Sequence, residues 1–466
     1  MSANADIGLS RKQRVFAKAE SAVGTMVFPS GTLDFILPAG NAEISQTPAF
    51  ADSEELANTL DVLDQFQNAT PAGKWKLAMY LRPTGTVGVA QYPQGKVLLV
   101  TLQGIENAAT TSALVGSATA VDTSIPINTI AGGVLPVNGV VNIAEAGSGG
   151  KTEMVHYTGI TRTSRTATTA TLTGCTRGYA STTAATHTAG NVTTLVSSFY
   201  RQSVNSPTFS LWIETDHLVQ GLSGCSIESA TFDVSNEGAV KLSLEGQGMQ
   251  MVYAGTSKMT GTSTATATHI HVTDASLFSA GAVIYDTTFT TKATISTVDI
   301  AGNILNLVSA TGAAWATPDV IRGYLPTGTE IGDPIEAKDT VVKLNGVAAS
   351  IKKGALTVKT PKKYLDDEVG IDYPEDFLED KRDITSTLGL YFRKADAKYF
   401  TDGMQGDEAE VLFAFGDTAG SIVEVYLKRC QLTVPAVNFA SPAVELNIPI
   451  KALGTVGEDS VEITVR

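Results

Sequence analysis

The chain has 466 residues, of which 43% are hydrophobic and 17% charged, with a net charge of −14. It is long enough for several packed domains and too apolar for a disordered chain. The negative balance argues against a surface that grips phosphate, because nucleic-acid binders need a positive footprint.

The N-terminal run MSANADIGLSRKQRVF lacks the apolar core of a signal peptide, so synthesis and folding in a cytoplasm are expected. No apolar run is long enough to span a bilayer. Ser10 to Glu20 reads as one short helix, capped by Ser10, with Val15, Phe16 and Ala19 on one face. Gly24, Pro29, Gly31, Pro38 and Gly40 then break regular structure. The apolar residues between them predict an arm, to about residue 40, that packs on a neighbouring domain or subunit.

A strand is predicted over Ala42 to Ser45 and another ending at Tyr80-Leu81-Arg82. The long connection between them carries Asp52, Glu54, Glu55, Asp61 and Asp64. Such loops inside compact domains tend to be functional, although a charge run is more often only solvated. The run KVLLVTLQGIENA, 96–108, is short enough to be a helix or a buried strand.

Residues 111–194 change character to Thr, Ala and Gly with short β-like runs, and residues 257–324 repeat this style. Both read as small β-domains set at loop tips, where insertion disturbs no buried backbone.

From Cys225 the chain reads CSIESATFDVSNEGAVKLSLEGQGM, and from Cys430 it reads CQLTVPAVNFASPAVELNIPIKAL. Cys225 falls on Cys430, Phe232 on Val437 and Asp233 on Asn438. Each copy alternates apolar and polar residues and breaks at a small-residue turn, Ser235–Gly238 or Ala440–Pro442. That pattern predicts two strands joined by a turn. Upstream, Leu77–Arg82 resembles Leu388–Arg393. The spacing between the two landmarks is about a hundred residues longer in the first copy, the size of a small domain.

The second copy also has a long acidic connection, Thr360 to Asp383, carrying Asp366, Asp367, Glu368 and Asp372. Its Arg393 to Met404 suits an amphipathic helix, which favours one helix per copy. The predicted class is all-β with about one short helix per copy. Residues 1–110 and 195–255 form the first repeated domain and 326–466 the second, with 111–194 and 256–325 inserted.

No catalytic constellation is apparent. His269 and His271 would face one side of a strand, but no third metal ligand lies near, so neither metal nor cofactor is predicted. The acidic loops lack the D-x-[DN]-x-[DN]-G spacing of a calcium loop. No G-x-S-x-G, H-E-x-x-H or Walker-type loop is present. Cys175, Cys225 and Cys430 show no CxxC spacing and read as small buried residues. A glycan-active enzyme would need a carboxylate pair, and nothing in the sequence selects one.

The order of arm, strand, acidic hairpin loop, Tyr-x-Arg strand, helix and strand block resembles the tail tube (major tail) proteins of long-tailed bacteriophages. ITSTLGLYFRKADAKYF, AEVLFAFGD and the Cys430 strands carry this resemblance best, together with Lys18 to Thr25. It covers 1–110, 195–255 and 326–466. The duplication and the two insertions depart from a simple tube protein. The resemblance implies β-sandwich or barrel domains in rings, with inner sheets joined around a channel for DNA. It implies a virion structural protein without catalysis, assembled in the host cytoplasm. Two copies per chain imply rings of three chains with pseudo-six-fold symmetry rather than six chains, stacked head to tail. Tape-measure and tail-terminator or tip proteins would be further partners, and DNA would pass without specific binding. Asp233, Glu237, Glu245 and Glu445 are the candidates for an acidic channel lining. Asp52, Glu54, Glu55, Asp61, Asp366, Asp367, Glu368 and Asp372 are those for ring-to-ring contact. The inserts would point outward. The alternative is a surface-displayed adhesin or fibre of immunoglobulin-like modules, for which a secretion signal and serial domains are expected.

Overall fold

Period-two alternation builds most of this molecule. Along Lys241–Gly248, Leu242 and Leu244 are buried while Glu245 is exposed, and the same rhythm recurs along the other long strands. The computed structural model describes the chain except residues 1–10, 56–60, 63, 89–91, 93, 108–110, 129–134, 146–149, 162–167, 236, 287–290, 318, 440–441 and 456. The fold is nearly all β, as expected for the sequence.

The first half contains β1 (Gln13–Ala19), β2 (Phe35–Ile36), β3 (Glu43–Ser45), β4 (Phe50–Asp52), β5 (Gln65–Gln67) and β6 (Gly73–Tyr80). Helix α1 (Lys96–Gln103) and β7 (Gly104–Asn107) follow. After the first insert come β8 (Ser198–Gln202), β9 (Phe209–Thr215), β10 (Leu218–Val234), β11 (Lys241–Gly248) and β12 (Met251–Ala254). The second half contains β13 (Val341–Leu344), β14 (Val347–Ala349), β15 (Ile351–Lys359), β16 (Lys362–Tyr364), β17 (Phe377–Glu379) and β18 (Asp383–Tyr391). It ends with α2 (Lys398–Gln405), β19 (Glu408–Phe415), β20 (Val423–Leu432), β21 (Ala436–Asn438), β22 (Glu445–Ala452) and β23 (Glu462–Val465).

The halves pair their strands in the same way. β3 pairs with β6 as β15 pairs with β18, and β6 with β11 as β18 with β22. β1 pairs with β2 and β9, as β13 pairs with β14 and β19. Even an irregularity recurs. Cys225 faces Phe209 and Leu222 faces Leu211, while Cys430 faces Ala409 and Leu427 faces Val411. Each bulge adds one residue to the longer strand and bends it, so β10 and β20 each take part in two layers.

Three further features organise the halves. β10 of the first half pairs with β15 of the second from Ser229 opposite Lys359 to Val234 opposite Gly354. Among the described residues, one continuous antiparallel sheet thus runs β3–β6–β11–β10–β15–β18–β22–β21. One hydrophobic core spans both halves, from Trp75 and Phe232 to Phe413 and Ile448. Phe232 and Phe415 stack beneath the seam, with ring centroids 6.0 Å apart.

The inserts have their own cores. The first is centred on Ile125, Val155, Tyr157 and Leu172, and the second on Ile284, Leu305, Trp315 and Ile321. The first is tied to the second half, where Arg466 Nη1 donates to Tyr179 Oη at 2.9 Å. The second lies against the first half, with Lys292 Nζ 5.2 Å from the Phe28 ring centre.

One expectation is corrected. The helix predicted over Ser10–Glu20 is strand β1 over Gln13–Ala19, and Ser10 itself lies outside the described residues. Val15, Phe16 and Ala17 are all buried, because β1 has core on both faces. A strand buried on both sides loses its alternation and imitates helical spacing. The run 96–108 is helix only to Gln103. Gly104 turns the chain with φ 106°, and a Cβ there would lie 2.6 Å from the Asn205 carbonyl oxygen.

Candidate functional site

Residues directly opposite in a ladder share a face, so the registers define what the joined sheet presents. One row reads Glu43, Lys76, Glu245, Ser229, Lys359, Asp383. The next reads Ala78, Ser243, Thr231, Thr357, Thr385, Lys451, Gln431. A third includes Asp233, Ala355, Thr387 and Pro449. The opposite face holds Trp75, Leu77, Leu244, Phe232, Leu356, Ile384 and Ile448, all buried. The molecule therefore has a broad polar sheet face crossing both halves without interruption.

Three of the four proposed lining carboxylates lie on this face. Asp233 and Glu245 belong to the rows above, and Glu445 faces Tyr391 and Asn438. Glu445 is buried and pairs with Lys352. Glu237 is exposed in the turn between β10 and β11. The face is not uniformly acidic, however. Lys74, Lys76, Lys241, Lys353, Lys359 and Lys451 stand on it, and Lys76–Glu43 (2.8 Å) and Lys451–Asp383 (2.9 Å) are ion pairs. Opposite charges stabilise neighbouring strands, and it is the strand register, not proximity in sequence, that brings these partners together.

At the seam, Thr231 and Thr357 hydroxyls lie 3.2 Å apart on the polar side. Next to it, the β16–β17 hairpin of the second half sits on the first half. Tyr364 Oη lies 2.7 Å from the Gly224 carbonyl, 3.0 Å from the Gln247 carbonyl and 2.8 Å from Ser226 Oγ. Lys362 Nζ donates to Ser206 Oγ at 2.9 Å and to Glu379 at 2.5 Å. Burial pulls the Lys362 pKa down, and Glu379 acts in the opposite direction. At the hairpin's far end, the Thr70 amide donates to the Asp372 carbonyl at 2.9 Å. This loop holds Asp366, Asp367, Glu368 and Asp372, and its stretch from Gly370 to Glu375 lines a cleft together with Val23–Thr25 and Met249 of its own chain.

The counterpart hairpin, β4–β5, is different. Phe50, Phe66 and Val62 are each more than half exposed. Asp52, Glu54, Glu55 and Asp61 are exposed too, and Asp52 accepts a 2.7 Å bond from Gln65 of the same hairpin. The sheet also ends openly. Among the described residues β3 is paired only with β6, and β21 only with β22.

Sequence reasoning located the hairpins but missed β15 and the anchoring roles of Lys362 and Tyr364. The alternation of Leu356 and Val358 with Ala355, Thr357 and Lys359 was the available signal for β15.

Conventional chemistry is sparse. Among the described residues no group of three potential metal ligands is found. The His269 and His271 rings stand 5.5 Å apart on the exposed side of a strand whose Ile270 is buried. Each of the three cysteines is buried, and Cys225 and Cys430 donate to the carbonyl three residues earlier, at 3.2 and 3.9 Å. Burial raises all three thiol pKa values, Cys175 to about 11 and Cys430 to about 12. The chain matches no protein-family model and no curated protein.

Proposed function

We propose that this protein is a non-catalytic structural subunit of a bacteriophage tail tube. Its polar sheet face would line a channel through which DNA passes. The observation that carries this reading is the seam. Two equivalent halves share one sheet, and the edges that meet there are left open at its two ends. An open edge is an aggregation hazard unless a defined partner covers it. Here the chain itself contains the pattern of the cover. Repeating the seam between chains closes the sheet into a barrel without edges. Three chains complete a ring of six halves in the arrangement that the sequence resemblance implies, and rings stack head to tail. Tape-measure and terminator or tip proteins would meet the ends of the stack. A lining with interleaved signs offers phosphates no continuous basic track, which suits a conduit that must not hold its cargo.

The seam also supplies the register. Phe232 faces Leu356 and Asp233 faces Ala355. The second-half counterparts of Phe232 and Asp233 are Val437 and Asn438, since Phe232 faces Leu242 as Val437 faces Leu446. The first-half counterparts of Leu356 and Ala355 are Ile44 and Glu43. Between chains, Asn438 is therefore expected opposite Glu43 and Val437 opposite Ile44.

Oxidising a Glu43→Cys/Asn438→Cys variant tests this, because paired strand positions fall within disulfide reach and the native thiols are buried. A ladder of covalent multimers on a non-reducing gel is expected. The Glu43→Cys/Val437→Cys variant should give none, because a one-residue slip turns the side chain to the other face. Absence of the ladder in the first variant, with only monodisperse single chains in solution, would refute the reading.

A further inference from the structure

We infer that the β4–β5 hairpin is a second intermolecular contact: it docks on the free end of the second half of another copy of this chain, beside Arg429, Gln431 and Lys451. This inference rests on the ring reading above and assigns the hairpin to contact within a ring rather than between stacked rings.

The argument is the molecule's own repetition. The two hairpins correspond residue by residue. Phe50 faces Gln67 as Lys362 faces Glu379, and Asp52 faces Gln65 as Tyr364 faces Phe377. The second hairpin has a seat in its own chain, whereas every residue of Phe50–Asp52 and Gln65–Gln67 is exposed. The seat of Tyr364 is made by Gly224, Ser226 and Gln247. Ser226 faces Gln247 as Gln431 faces Lys451, so the corresponding seat in the second half is Arg429, Gln431 and Lys451. Within one chain that seat is at the far end of the sheet from the first hairpin, beside the open edge β21.

The chemistry matches. Where the second hairpin places a tyrosine, the first places Asp52, and the seat it would meet carries Arg429 and Lys451 in place of Gly224 and Gln247, paired there with Glu408 and Asp383, so that Asp52 would join an existing charge network. On the hairpin face that carries Asp52, the exposed Phe50 has apolar counterparts beside the seat, where Met404 is 80% and Val434 47% exposed and Gly406 adjoins Gln431. Large exposed apolar side chains on both surfaces, with charged groups at their rim, are what a protein interface covers.

The test uses the disulfide-locked Glu43→Cys/Asn438→Cys rings and the same protein reduced and dispersed to single chains. Amide hydrogen exchange is read at Phe50–Asp52 and Gln65–Gln67. Locked rings should slow these amides at least about tenfold relative to single chains. Adding Asp52→Lys should abolish that protection without changing the yield of the covalent ladder, and adding Arg429→Glu to that variant should partly restore it. Equal exchange in rings and single chains, or protection indifferent to Asp52→Lys, overturns the docking while leaving the ring intact. The second outcome would be the mark of burial by stacking. Failure of the ladder itself removes the ring reading and this contact together.

Discussion

At the residue scale, the most informative group is Glu462. It sits on β23 opposite Tyr426 and Arg201, and accepts a 3.4 Å bond from the Val137 amide, which follows the first insert's strand at Ser124–Asn128. Burial raises its carboxyl to about 7, Asp459 adds to the rise, and the Val137 amide, Lys428 and Arg201 oppose it. The native state therefore holds a proton that the unfolded chain releases near its ordinary value of 4.5. Stability from this group is present below about pH 4.5 and is lost as pH rises through about 7. Glu462→Gln keeps the acceptor and removes the titration. It should flatten the decline between those values and stabilise the protein at pH 8 by about 1–3 kcal/mol, read from denaturant midpoints across pH. A variant whose pH profile matches the parent's would assign the decline to other groups.

Residues of the first insert show the opposite design. Glu153 is fully buried, yet Arg177 contacts it at 2.8 and 2.6 Å, and the Gly178 and Ala185 amides and His187 complete its shell. Burial alone would raise its pKa, but Arg177 and the two amides outweigh it and hold the carboxylate lower.

At the element scale, the seam strand β15 is the critical one. Thr357 has Thr231 on one side and Thr385 on the other, so its backbone is committed within the sheet interior. Thr357→Pro removes a ladder donor and should cost about 1–3 kcal/mol for the acceptor left unpaired, seen as a lower thermal midpoint and faster exchange in both β10 and β18. Unchanged exchange in β10 would mean the seam carries little stability. The strand β1 teaches a related lesson. Its sequence, QRVFAKA, lacks period-two alternation because three successive residues are buried. Only the neighbours β2 and β9, with Phe16 opposite both Phe35 and Trp212, make it a strand.

For the whole molecule, the prediction concerns number. If two halves per chain fill a ring of six, the covalent ladder should stop at a closed species of three times the 48.7 kDa chain mass, with further growth only by stacking. Mass photometry of locked, dispersed rings reads this directly. A closed species of six chains would keep the seam but overturn the pseudo-six-fold arrangement. The outward position of the inserts belongs to this scale as well, and three-fold averaged images of such rings would decide it.

Composition and patterning by themselves determined the β class, the repeated strand blocks around Cys225 and Cys430, one helix per half and the change to Thr- and Gly-rich sequence over 111–194 and 257–324. These are local or repeated signals, written within a few residues or visible by comparing one stretch with another. The seam, the mixed-sign polar face and the unequal fates of the two hairpins were decided only by tertiary structure. Each depends on which strand lies beside which and in what register, and a strand's own alternation says that it has two faces without saying what covers its edges.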